Sequence, residues 1–84
     1  MDKIELGIQQ VMSNVFDVPL EQITVDSSQD DISAWDSLKH LNLVVSLEEE
    51  FDIVFPIEEV GSLLSFKLIE VIVKELLQNE GKSY

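Results

Sequence analysis

Residues 38 to 51, Leu-Lys-His-Leu-Asn-Leu-Val-Val-Ser-Leu-Glu-Glu-Glu-Phe, constrain this chain more than any other stretch. Good helix formers and apolar residues run through it with no Gly or Pro, so it predicts a helix of about four turns. Asp36 suits the N-cap, where its carboxylate accepts from open N–H groups of the first turn. Ser37 then falls in that turn, beside the positive end of the helix dipole. At roughly 100° per residue, Leu43, Val44, Leu47 and Phe51 gather on one face, while Leu38, Leu41 and Val45 gather nearly opposite. An amphipathic surface helix needs a single apolar stripe. Either the helix is buried on two sides, or the stripe beginning beside Ser37 is left exposed for a partner.

The rest of the chain supplies more helices. Ile4, Ile8, Val11, Met12, Val15 and Phe16 have helical spacing, and Asp2 with Glu5 resembles a capping box. Gly7 interrupts this pattern at a cost of about 1 kcal/mol relative to Ala, with no reason visible in the sequence. Pro19 stops the first helix and suits the start of a short helical segment, with Leu20 and Ile23 facing inward. Thr24 to Trp35 is polar except for Val25, Ile32, Ala34 and Trp35, which should pin a long connection to the bundle. Ile53, Val54 and Phe55 read as an extended crossover, and Pro56 to Val60 as a short helix that Gly61 ends. Ser65 caps a last helix from Phe66 to about Gln78, with Phe66, Ile69, Val73 and Leu76 as its main stripe and Ile72 and Leu77 beside it. Residues 79–84 are expected to fray. The expected fold is all-α: a four-helix bundle of three longer helices and one short helix, with a long loop between helices one and two.

Eighty-four residues make a single domain, 1–84, and 45% hydrophobic residues are enough for a core. The absence of cysteine excludes disulfides, thiolate metal sites and a cysteine nucleophile. No apolar run approaches a membrane span and no signal sequence opens the chain, so a cytoplasmic location is expected. A net charge of −12 argues against nucleic acid and suits basic protein partners. All of that excess lies in residues 1–59, the part that contains Ser37. Asp26, Ser28 and Asp30 alternate like the start of an EF-hand loop. The match fails because the sixth position is Asp31 rather than Gly and the twelfth is Ser37 rather than Glu, so no metal site is expected. His40, three residues after Ser37, suggests a nucleophile and base, but no orienting group or oxyanion hole accompanies it, and no catalytic residue is expected.

Trp35-Asp36-Ser37-Leu38, followed by Leu47-Glu48-Glu49-Glu50-Phe51-Asp52-Ile53, resembles the acyl carrier protein pattern, in which Asp-Ser-Leu opens a helix that closes on Leu-Glu-x-x-Phe. The resemblance runs from the first helix to about Leu77. It implies a carrier rather than an enzyme, with 4'-phosphopantetheine from coenzyme A esterified to Ser37 by a phosphopantetheinyl transferase and Asp36 and Leu38 flanking the site. Acyl groups would then be held as thioesters and shown to acyl-loading, condensing or transferase enzymes with basic docking surfaces. Contacts with those partners are expected at Trp35, Lys39, Leu41, Val45 and Glu48, on a monomeric carrier. Fatty-acid carriers commonly place an acidic residue where this chain has Asn42, and a small residue where it has Trp35; Lys39 and His40 add positive character. These departures favour a specialised pathway such as polyketide, nonribosomal peptide or modified lipid synthesis. A peptidyl, aminoacyl or aryl carrier is the close alternative, and an unmodified acidic adaptor the alternative from another class.

Overall fold

The computed structural model describes residues 2–81. Four helices follow in order: α1 (Lys3–Phe16), α2 (Ser37–Phe51), α3 (Ile57–Val60) and α4 (Phe66–Asn79). The all-α bundle of three longer helices and one short one is therefore as the periodicity predicts. Residues 82–84, the last half of the tail expected to fray, lie outside the described residues; Asn79 is still helical, and Gly81 turns the chain at φ 70°.

Each long helix starts on a side-chain cap. Asp2 accepts from Glu5 N at 2.8 Å while Glu5 accepts from Asp2 N at 3.0 Å, the reciprocal box that satisfies two open donors of α1. Asp36 Oδ1 accepts from Lys39 N at 2.9 Å, and Ser65 Oγ from Leu68 N at 3.2 Å. α1 packs against both α2 and α4. Their facing stripes form one core, with Ile8, Met12, Leu43, Leu47, Phe51, Phe66, Ile69 and Val73 almost wholly enclosed. In α4 the buried position is Leu77, while Leu76 is only partly covered. Eleven residues at about 100° each return Leu77 to within about 20° of Phe66, whereas Leu76 falls well off that line.

Gly7 acquires its reason here. A Cβ built on it would lie 2.8 Å from Phe51 Cζ, so α1 approaches the end of α2 closely only because the side chain is missing. α1 and α2 end on Asp17 and Asp52, both left-handed, at φ 55° and 53°.

The long connection is more structured than its polar sequence suggests. Leu20–Gln22 and Gln29–Asp31 are 3-10 turns. Gln9 Nε2 donates to the carbonyls of Leu20 at 2.8 Å and Ile23 at 2.9 Å, tying the first turn to α1. Ile23 is buried, but Leu20, expected to face inward, is exposed. The turn stops at Gln22 and Ile23 is extended, so the expected i, i+3 alignment is lost. Gln29 N donates to Leu64 O and Phe66 N to Ser27 O, each at 2.9 Å, forming a small antiparallel bridge between Ser28 and Ser65. This bridge fastens the connection to the start of α4. Ile32 and Trp35 complete the anchoring from inside the core, with Val25 and Ala34 partly covered. Beyond α2, Ile53 and Phe55 are buried and Val54 between them is exposed, the alternation of an extended crossover.

Candidate functional site

Ser37 is the first helical residue of α2 and is exposed. The capping bond commits the Asp36 carboxylate to Lys39 N, and the Asp36 carbonyl accepts from His40 N at 2.8 Å. Among the described residues the Ser37 hydroxyl has no hydrogen-bond partner. It therefore stands at the positive end of a 15-residue helix with its oxygen uncommitted.

Beside it lies a groove of about 330 Å³ lined by Gln29, Ser37, His40, Leu41, Gly61 and Leu64. Three segments meet there: the long connection, the first turns of α2, and the link from α3 to α4. The Ser28–Ser65 bridge holds the first of these against the last. A depression of about 360 Å³ lined by Lys3, Leu6, Gly7, Gln9, Gln10, Leu20 and Glu50 lies between α1 and the far end of α2 and does not include Ser37.

Of the two stripes on α2, one is buried and one is open. Leu43, Val44, Leu47 and Phe51 are in the core, while Leu38, Leu41 and Val45 are 68%, 58% and 53% exposed. The open stripe starts beside Ser37, and Leu41 also lines the groove. Lys39 is half-buried next to it. Of the two other residues named from the sequence, Trp35 sits apart from this surface, while Glu48, three residues after Val45 and seven after Leu41, continues the same face of α2 and is half-buried. Trp35 is buried, its ring 4.9 Å from Phe16, so its side chain builds the interior. Glu48 uses its carboxylate to accept from Phe55 N at 2.9 Å, which holds the crossover after α2.

Both aspartates at the ends of the calcium-like run Asp26, Ser28, Asp30, Asp31 have partners within the chain. Asp31 accepts from both Ser28 N and Ser28 Oγ at 3.1 Å, and Asp26 pairs with Lys67 at 3.3 Å. Far from Ser37 in sequence, Asp2, Glu5 and Glu70 form the one tight acidic group among the described residues. Lys74 answers it, with Nζ 3.0 Å from Asp2 and 2.9 Å from Glu70. Glu70 first, then Asp2, raises the Lys74 ammonium above the ordinary lysine range. The bond from Glu5 N, followed by Lys74, holds the Asp2 carboxyl below its ordinary value.

Sequence reasoning missed Gln29, Gly61 and Leu64 as neighbours of Ser37, because they reach it only through the bridge and the packing of α3. Of the partners open to His40 it considered only Ser37, with the imidazole as a candidate base. The imidazole in fact joins two segments: Trp35 Nε1 donates to Nδ1 at 3.0 Å, and Nε2 lies 2.8 Å from the Val60 carbonyl oxygen. The signal available beforehand was the pairing of the chain's sole Trp and sole His across the start of α2.

Comparisons with known proteins agree with this geometry. No protein-family model matches the chain. It is 36% identical over 64 residues to the acyl carrier protein of Buchnera aphidicola subsp. Schizaphis graminum, a match covering 75% of this chain and 80% of that one. The solution structure of holo acyl carrier protein from Geobacter metallireducens superposes with a TM-score of 0.78 at 32% identity, over 92% of this chain and 88% of that one. Kinship over most of both sequences, carried on the same helical fold, makes this chain a member of the acyl carrier protein family.

Proposed function

We propose that residues 1–84 form a single carrier domain in which Ser37 Oγ bears 4'-phosphopantetheine. The observation that carries this reading is an exposed, unpartnered Ser37 hydroxyl at the N-terminus of α2, opening on both an apolar groove and an exposed apolar stripe. Those residues suit the group. The first-turn N–H groups and the helix dipole favour a phosphodiester on Ser37, and Asp36, engaged as the cap, holds that turn in shape. When attached, the group supplies a terminal thiol that holds acyl cargo as a thioester.

In the attachment reaction Ser37 Oγ bonds to phosphorus as the pyrophosphate link of coenzyme A breaks and adenosine 3',5'-bisphosphate leaves, the serine proton passing to a separate transferase. That enzyme supplies the magnesium and basic groups that stabilise the transferring charge. This chain contributes the nucleophilic oxygen and the surface that presents it. Leu38, Leu41 and Val45 form an apolar centre for docking, and the acidic residues of 1–59 steer basic partners toward it. The partners in this reading are a phosphopantetheinyl transferase and enzymes that load, condense or transfer acyl groups, acting on a cytoplasmic monomer. Among the described residues no helix is long and apolar enough to cross a membrane. Exposed, uncharged Asn42 on α2, where fatty-acid carriers commonly have an acid, favours partners of a specialised pathway, and keeps an aminoacyl or aryl cargo as the second reading.

The test is co-expression with a broad-specificity phosphopantetheinyl transferase followed by intact-mass measurement. One phosphopantetheine is expected to be added to the wild-type chain and none to Ser37→Ala, with helical circular dichroism unchanged. Modification mapping to another serine, or no modification of a folded wild-type chain, would overturn the assignment.

A further inference from the structure

We infer that His40 is a proton-controlled positioning residue, whose neutral form holds α3 and the Trp35 segment against α2 and so sets the groove beside Ser37. The coupling within the apo chain stands independently of the carrier reading; only its consequence for modification rests on it.

The hydrogen bonds determine the tautomer. An indole N–H can only donate, so Nδ1 of His40, 3.0 Å from Trp35 Nε1, must present its lone pair. A backbone carbonyl can only accept, so Nε2, 2.8 Å from Val60 O, must carry the hydrogen. Both partners demand the same neutral species. An imidazolium has two donors and no acceptor, so protonation sets N–H against N–H at Trp35 while leaving the Val60 bond in place. The buried indole then loses its partner, and the ring must shift or Trp35 must turn.

The groove is sensitive to such a shift because of what His40 holds. α3 is a single turn of four residues, and its N-cap, Pro56, supplies no side-chain hydrogen bond. A helix this short depends on outside contacts. The Val60 carbonyl is followed directly by Gly61 and, three residues further, Leu64, both of which line the groove with Ser37 and His40 itself. On the other side, Trp35 packs on Phe16 and lies next to the cap of α2. The imidazole therefore bridges the two ends of the site.

The charged groups on the segments around the ring are otherwise engaged or turned to solvent. Asp36 caps α2, Asp31 caps the second 3-10 turn, and Lys67 pairs with Asp26. Asp30 and Glu58 are exposed, and Lys39 and Glu59 half-exposed. No carboxylate among the described residues is hydrogen-bonded to the imidazole to compensate a charge on it.

A sole Trp and a sole His make the experiment unambiguous. Ring nitrogen NMR of the apo chain above pH 8 is expected to show the Nε2–H tautomer. Lowering pH until the His40 ring protonates should shift the Trp35 indole N–H, the Trp35 emission and the amides of Gly61 and Leu64 with the same midpoint as the His40 ring signals. His40→Gln offers an amide oxygen to Trp35 and an amide N–H to Val60, so it should keep the high-pH spectra and lose the titration. His40→Phe should show the released state at all pH values. Transferase modification of Ser37 should lose its pH dependence in His40→Gln beyond that of the transferase itself, and mass measurement at high pH reports separately whether Ser37 is modified at all. An Nδ1–H tautomer, groove amides that ignore the His40 midpoint, or an unaltered titration in His40→Gln would each overturn the proposal. Should His40→Phe fail to fold, His40→Gln alone still decides.

Discussion

At Gly7 two effects of similar size oppose each other. Alanine improves helix propensity by about 1 kcal/mol, but its Cβ would sit 2.8 Å from a Phe51 ring buried at the core edge. Overpacking of that kind costs about 1–3 kcal/mol, so Gly7→Ala is expected to destabilise the chain by about 1 kcal/mol in urea unfolding. Combining it with Phe51→Leu should cost less than the sum of the two single changes, because they relieve the same contact. Asp17 presents the reverse case. It is a left-handed residue and a negative charge at the C-terminal end of α1, where no basic residue offsets the dipole. Asp17→Gly should raise stability by about 0.5–1 kcal/mol, the relief of left-handed strain exceeding the entropy that glycine adds to the unfolded chain. A fall in the urea midpoint would show that Asp17 holds something its backbone does not reveal.

Among the elements, α2 carries two apolar faces with different purposes. Leu47 is wholly buried, so Leu47→Ala should cost about 2–5 kcal/mol. Leu41 and Val45 are more than half exposed, and their alanine variants should stay within about 0.5 kcal/mol of wild type. If the exposed face is the docking surface, Leu41→Ala and Val45→Ala should nevertheless slow transferase modification or cargo loading. Equal unfolding midpoints for Leu41→Ala and Leu47→Ala, with loading intact, would move recognition away from this face.

For the molecule as a whole, charge is the main lever. A net charge of −12 repels itself, so moderate salt is expected to raise the apo melting temperature and to slow association with basic partners, screening acting beyond about 8–10 Å. A melting temperature that stays flat or drops with salt would count against self-repulsion. The Asp2–Lys74–Glu70 group, which ties the start of α1 to α4, adds a dependence at both pH extremes. Asp2 titrates below its ordinary value of 3.8, so its contribution is present above that pH and is lost as pH falls through the lower folded value. Lys74 titrates above 10.5, so its contribution is present below that pH and is lost as pH rises through the higher folded value. Asp2→Asn should flatten the acid limb and Lys74→Met should flatten both, as read from melting temperature against pH.

The helices, their caps at Asp2, Asp36 and Ser65, most of the buried positions and the two apolar faces of α2 were legible in the chain, because capping and 3.6-residue periodicity act over a few neighbouring residues; that the face beside Ser37 is the open one was decided by the fold. The Asp-Ser-Leu motif and its spacing to Phe51 likewise pointed to the family. What local pattern could not hold was decided by packing between distant segments. Gly7 is explained only by Phe51, and Leu20 faces outward only because its turn ends at Gln22. The bridge of Ser28 to Ser65 joins two polar stretches that carry no strand signal. His40 becomes a strut because the fold brings Trp35 and the Val60 carbonyl to opposite sides of one ring. A hydrogen bond between residues far apart in the chain leaves no period in the sequence, so only the tertiary structure reveals it.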